Sequence, residues 1–401
     1  MEKIYIVGAK RSAIGAFGGS LKECSAGALA GQVIQAALEA AQLKPEAVDE
    51  VIVGNVVSAG QGMGVGRQAA LAAGVPQSVP AYSINMVCGS GMKSVMDAVA
   101  HIKAGDASVV VAAGVEVMSQ IPFVTPASLR DGQKMGAFEV KDLLIHDGLT
   151  DVFNQYHMGV TAENVAKQFT ISREAQDEFA LASQMKATAA IEAGHFKREI
   201  VPISVKKRRE TVVFDTDEYP KPNTTLAALQ GLRAAFDAQG TVTAGNASGI
   251  NDGASAVIVA SESAVQEFGL TPIAEIISYA QTGLDPQIMG LGPVSAVTQA
   301  LAKAELSIEN IDLFELNEAF AAQALGVVHG LAEQHSIKSE AILDKANVNG
   351  GAIALGHPLG ASGNRILVSL LHELQRRHQK YGVASLCVGG GMGTAIVIKT
   401  V

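Results

Sequence analysis

The chain has 401 residues, of which 48% are hydrophobic, and carries a net charge of −9. Its length suits two domains, each with a core of its own, and its acidic balance argues against nucleic acid as a partner. No run of about eighteen apolar residues is present, so no membrane-spanning helix is expected, and three cysteines without a Cys-x-x-Cys pair argue against a disulfide framework and a bound metal.

The opening Met-Glu-Lys-Ile-Tyr-Ile-Val-Gly enters a strand at once, without the basic and apolar regions of a signal peptide. The C-terminal Ile-Lys-Thr-Val is no peroxisomal address, so a cytoplasmic location is the expectation. Residues 37–49, ALEAAQLKPEAVD, read as an amphipathic helix leading into an apolar strand, Glu50–Val57. An extended segment over Tyr82–Val87, a helix over Met92–Ala104 and a β-branched strand over Ala107–Ala113 follow. From Ile121 to Gly245 the pattern turns more polar, with Pro122, Pro126, Pro202, Pro220 and Pro222 and two helical runs, Gly159–Phe169 and Arg173–Ala193. This stretch reads as an insertion lying over the site like a lid. Within it, Lys206-Lys207-Arg208-Arg209 is either a solvated turn between two strands or a basic patch for an anionic ligand.

The earlier pattern then returns. Residues 300–312, ALAKAELSIENID, align without a gap on residues 37–49, and the strand Leu313–Leu316 follows them. Gly253-Ala-Ser-Ala-Val-Ile-Val-Ala is echoed by Gly393-Thr-Ala-Ile-Val-Ile-Lys, just after a strand over Val383–Val388. Two echoes in the same order indicate a duplicated α/β unit, with mostly parallel sheets and helices packed on them.

Four segments carry chemistry. Cys88, in Asn-Met-Val-Cys-Gly-Ser-Gly, sits where a strand gives way to a helix, and a helix N-terminus favours the thiolate. Alone it reads equally as a buried structural cysteine. His357, in Gly-Gly-Ala-Ile-Ala-Leu-Gly-His-Pro-Leu-Gly-Ala-Ser-Gly, is either a base in a glycine-shaped loop or an exposed loop residue. Cys387 opens Gly389-Gly390-Gly391-Met392-Gly393, whose backbone N–H groups can line an oxyanion hole. Asn317, before Glu318-Ala319-Phe320, reads as a helix N-cap or as an amide holding a water beside developing negative charge. No Gly-x-Gly-x-x-Gly follows a strand and no Gly-Lys-Ser/Thr occurs, so dinucleotide and nucleotide sites lose their usual support.

Together these motifs, in this order, resemble the thiolase family over essentially the whole chain. The resemblance implies an α/β fold of two similar halves stacked as five layers, αβαβα, with an inserted loop domain. Residues 1–120 with about 246–270 would form the first half, 121–245 the loop domain, and 271–401 the second half. It implies acyl transfer without a prosthetic group. Cys88 carries an acetyl group, His357 takes its proton, and Cys387 moves the methyl proton of a second acetyl-CoA to give acetoacetyl-CoA and CoA. It makes His357 and a water on Asn317 one oxyanion hole, and the N–H groups of Cys88 and Gly389 another. It places Ser248, His157, Met158, Lys221, Phe236, Met289 and Phe320 along coenzyme A. Tyr156-His-Met-Gly and Ile288-Met-Gly-Leu-Gly-Pro look like the short-chain, biosynthetic type. The resemblance further implies a homotetramer, with part of residues 121–145 in the contact. A decarboxylating ketoacyl synthase and a degradative 3-ketoacyl-CoA thiolase of broader chain length are the competing readings.

Overall fold

The structure is a computed structural model describing residues 2–207 and 210–401. The first half runs β1 (Ile4–Ser12), α1 (Ala26–Ala40), β2 (Glu50–Gly54), α2 (Val65–Ala72), β3 (Ala81–Ile84), α3 (Ser90–Ala104) and β4 (Val109–Val117). The intervening stretch carries α4 (Met158–Phe169) and α5 (Arg173–Glu192), and β5 (Asn251–Ser261) returns the chain to the first half. The second half runs β6 (Ala274–Gly283), α6 (Gly292–Lys303), β7 (Leu313–Leu316), α7 (Ala321–His335), α8 (Leu359–Arg377), β8 (Tyr381–Val388) and β9 (Met392–Thr400).

One sheet path, β7-β8-β9-β6-β1-β5-β4-β2-β3, joins the halves at a short antiparallel β1–β6 contact. Reading outward from that seam, β1, β5, β4 and β2 correspond to β6, β9, β8 and β7, with the same pairing directions. The duplication suggested by the sequence echoes is thus present in the topology. The sheet is mixed rather than mostly parallel. Only β2–β4, β2–β3 and β7–β8 run parallel among these nine strands. The reason is local: β8 and β9 form a hairpin across a glycine turn, in which Gly390 and Gly391 both adopt φ +86°. A β-hairpin forces antiparallel pairing.

Strand periodicity builds the layers. Val51, Val53, Val109, Val111 and Ala113 pack with α1 and α2, whereas Ile52, Val110 and Ala112 point the other way, onto α3 and α8. In the second half Ala395 and Val397 face α6 and α7, while Ile396 and Ile398 face α3 and α8. Alternate residues of every central strand therefore serve different cores. The result is five layers, with α3 and α8 sandwiched between the two halves of the sheet.

That central pair touches backbone to backbone. A Cβ added at Gly91 of α3 would lie 2.7 Å from the Gly360 carbonyl oxygen of α8, and one at Gly363 would lie 2.5 Å from the Met92 nitrogen. Side chains cannot fit between the helix starts, so the residues just before them are brought close. In the 121–245 stretch, Ile203–Lys207 pairs with Glu210–Phe214, while Arg208 and Arg209 lie outside the described residues. Among the described residues no helix is long and apolar enough to cross a membrane.

Gly91→Ala should lower stability by about 1–3 kcal/mol, the usual cost of overpacking a filled contact. Urea unfolding of the purified variant checks this; an unchanged midpoint would contradict the helix contact.

Candidate active site

Cys88 ends a strained elbow. Val87 has φ +46°, a rare value for a β-branched residue, and three local bonds hold it there. Val87 N–H donates to Asn85 Oδ1 (2.9 Å), Met86 N–H donates to Ser90 Oγ (2.8 Å), and Ser90 Oγ–H donates to the Val87 carbonyl (2.6 Å). The elbow delivers the thiol to the start of α3. There the N–H groups of Gly389 and of Cys88 itself favour the thiolate. A Cβ at Gly89 would touch Val388, so this elbow and the β8–β9 turn lie against each other.

His357 precedes α8, one element across the glycine contact. Its N–H donates to Asn251 Oδ1 (3.0 Å), whose amide Nδ2 donates in turn to the Gly15 carbonyl (3.0 Å). The ring's Nδ1 lies 2.6 Å from Ser362 Oγ, and the single Ser362 hydroxyl proton is donated to the Pro358 carbonyl (2.8 Å). Ser362 therefore accepts from Nδ1–H, and Nε2 keeps its lone pair. That lone pair faces the Asn317 amide, with Nδ2 at 3.5 Å. Asn317 is buried, and its Oδ1 has no hydrogen-bond partner. It is not a helix cap: Asn317–Phe320 form a loop after β7, and α7 begins only at Ala321.

Cys387 lies buried near the end of β8, in an apolar cluster with Met158, Met289 and Phe320, against which Phe236 packs. Phe236 stacks on the His157 ring (centroids 4.5 Å) and meets Phe320 edge-on (6.2 Å). His157 also caps α4, its Nδ1 accepting from Gly159 N–H (3.0 Å). Ser248 N–H donates to the Ala319 carbonyl (2.9 Å), and Ala247 bridges Phe320, which sets Ser248 beside the same cluster. Lys221 stands apart, in a 470 Å³ cavity with Gln184, Tyr219 and Leu232. Its ammonium lies 5.4 Å from the Tyr219 ring centre. Tyr219 covers Gly249, and Ala244 and Gly245 line the cavity, so the cavity adjoins the Ser248 segment.

The N-terminal thiolase domain matches residues 4–263 and the C-terminal thiolase domain matches residues 270–400. This chain belongs to the thiolase family. An acetyl-CoA acetyltransferase of Cupriavidus necator is 56% identical over 400 residues, covering all of both chains. The crystal structure of the Bacillus anthracis acetyl-CoA acetyltransferase superposes with a TM-score of 0.95 at 45% identity, over 100% of this chain and 99% of that one. Human mitochondrial 3-ketoacyl-CoA thiolase in complex with CoA superposes at 0.93 and 45% identity, over 100% and 98%.

The electrostatics of this thiolase site differ from the expectation of a preformed thiolate. Burial pushes the Cys88 thiol up to about 11, outweighing the two N–H donors that favour the anion. Burial pushes Cys387 up as well, and the neighbouring Cys88 charge adds to this. Burial, aided by the Arg365 charge, pushes His357 down to about 3. All three groups are therefore neutral at rest. The helix N-terminus at Cys88 is real, but loss of water costs an anion more than one helix end returns.

Sequence reasoning passed over Ser362, Asn251 and Glu116. Ser362 had a signal, being a hydroxyl in the first turn of the helix after His357. Asn251 and Glu116 had none, because their partners are distant in sequence. Glu116 accepts from Val56, Val57 and Gly360 N–H groups, tying β4 to the start of α8. Burial lifts its carboxyl to about 7.

Alkylation of free Cys88 by iodoacetamide should rise about tenfold per pH unit from pH 7 to 9, as for a thiol titrating above that range. Peptide mass spectrometry at each pH checks this, and a plateau near pH 7 would instead indicate a standing thiolate.

Proposed function

We propose that this chain condenses two molecules of acetyl-CoA into acetoacetyl-CoA and CoA, reversibly, through an acetyl group on Cys88. Full-length similarity to acetyl-CoA acetyltransferases supports the reading. The observation that carries it is the packing of the Cys88 elbow against the Val388–Gly389 turn that follows Cys387, together with an imidazole that keeps a free Nε2 lone pair.

In the first half-reaction the Cys88 sulfur attacks the thioester carbon and its proton passes to His357 Nε2. The bond to the CoA sulfur breaks, and the imidazolium returns that proton to the leaving thiolate. A buried imidazolium is a strong acid, so this return is favourable. The N–H groups of Cys88 and Gly389 would receive the oxygen of the acetyl-cysteine.

In the second half-reaction Cys387, having lost its own thiol proton to solvent, takes a proton as the thiolate from the methyl carbon of the incoming acetyl-CoA. The enolate oxygen would accept from the Asn317 amide, and from His357 once Nε2 carries a proton. The new carbon–carbon bond forms at the acetyl carbon, the bond to Cys88 breaks, and the released sulfur regains a proton by way of Cys387. A decarboxylating synthase makes its carbanion by losing carbon dioxide and has no use for this second thiol.

Along the substrate, Phe236, His157, Met158, Met289 and Phe320 offer an apolar wall, Ser248 a polar edge and Lys221 a cation at the outer cavity. No prosthetic group enters this scheme. Assembly as a homotetramer is supported by the exposed Phe123, Met135, Phe138 and Val140, an apolar patch that water penalises. A cytoplasmic location completes the proposal.

Incubation with acetyl-CoA should add one acetyl group to Cys88, seen by mass spectrometry, in both the native protein and Cys387→Ala. The same substitution should abolish exchange of the acetyl-CoA methyl protons into heavy water; exchange that persists would remove Cys387 as the base. Asn317→Ala should lower kcat roughly 100- to 1,000-fold, the usual loss for one oxyanion donor. Cleavage of acetoacetyl-CoA should exceed that of longer 3-ketoacyl-CoA substrates in kcat/KM.

A further inference from the structure

The most anomalous charged group in the molecule lies behind the reacting atoms. Arg365, on α8, is 2% exposed, and among the described residues none of its three guanidinium nitrogens has a hydrogen-bond partner. Its acidic partner among those residues is Glu315 of β7, Nη1 to Oε2 at 3.6 Å, also buried, with its carboxyl pushed up by burial to about 8. A buried cation so poorly bonded is costly, and replacing such a pair by apolar residues often stabilises a protein. Stability therefore does not explain it.

Its place in the fold does. Arg365 is three residues after Ser362 on the same helix, so the two share a face. Ser362 holds Nδ1 of His357. Glu315 is two residues before Asn317, at the end of the same short strand. The Arg365–Glu315 pair thus links the helix that aims the imidazole to the strand that leads into the amide, whose Nδ2 approaches His357 Nε2 to 3.5 Å. We propose that Arg365, clamped to Glu315, is a positioning residue that sets the His357–Asn317 spacing and holds a fixed positive charge behind it.

Such a charge acts in two ways. It disfavours the imidazolium, which keeps Nε2 ready to accept the Cys88 proton. It also favours negative charge developing on substrate oxygen in front of the imidazole. The pair does not stand in isolation. Arg11 and Asp217 act on Arg365, Glu318 and Glu373 act on Glu315, and Glu199 acts on both. Arg11 itself is fully engaged, bonding Glu199 (2.6 Å) and Asp217 (2.7 and 2.9 Å), so it cannot substitute for Arg365.

The inference rests on the proposed acetyl-transfer reaction, and the test separates the two. Thiolysis of acetoacetyl-CoA is measured from pH 3 to 9 for the native protein, Arg365→Lys, Glu315→Gln and the paired apolar variant Arg365→Met/Glu315→Leu. If the native protein has no thiolysis activity, the reaction assignment itself fails. If it is active, the paired variant should fold, as judged by its thermal transition, yet lose about tenfold or more in kcat with KM within twofold. Removing the cation raises the imidazole's proton affinity, so the acid limb of kcat/KM should move to higher pH. Arg365→Lys keeps the charge and should keep the native acid limb, while losing part of kcat because the guanidinium's reach is gone. Glu315→Gln should likewise lower kcat without moving that limb upward. A paired variant with native kcat and a native acid limb would overturn the proposal. So would an acid limb displaced equally by Arg365→Lys and the paired variant. If the paired variant does not fold, the two single variants decide by the same readings.

Discussion

Two helix starts meeting without side chains between them make this site possible. Gly91 and Gly363 let α3 and α8 approach at backbone distance, and Gly360 lies under both α3 and β4. Cys88 precedes one helix and His357 the other, so the contact joins two halves of a duplicated chain at their reactive ends. Each half alone supplies a helix N-terminus with a reactive side chain ahead of it. Only their stacking produces an acceptor beside a nucleophile. Cys387 and Gly389 arrive from β8 and its turn, which lie against the Val87–Gly89 elbow.

Burial then dominates the chemistry. The elbow and the helix end both favour an anion at Cys88, yet exclusion of water outweighs them, and the site rests with two thiols and a neutral imidazole. A resting site without charge avoids the large cost of isolated buried ions. It also links proton movements to the substrate: charge appears when a carbonyl oxygen is present to receive it and donors already aim at that place.

Against this neutral site the buried ions behind it stand out. Arg11 sits in a fully bonded network with Glu199 and Asp217, which ties β1 to the insertion. Glu318 bonds Ser183 of α5 and Asn347, and so anchors the insertion to the loop that follows β7. These groups are satisfied and read as structural ties. Arg365 is not satisfied, and its position behind His357 and Asn317 makes that difference meaningful.

The sequence by itself determined the duplication, most of the elements and the candidate reacting groups. Strand and helix periods are local properties, and the Cys88, His357 and Cys387 motifs carry their own glycine signatures. Leu313–Leu316 was legible to the residue, and α4 and α5 to within one residue at either end. Pairing direction was not legible, because the β8–β9 hairpin depends on a turn rather than on strand composition. The helix end at Cys88 is visible in the sequence, whereas the burial that raises its thiol comes from elements distant in the chain and is not. Asn251, Glu116 and Arg365 were invisible for the same reason: each acts on a partner more than forty residues away. Tertiary structure alone decided which groups lost their water, and that loss, not residue type, sets the charge each one carries.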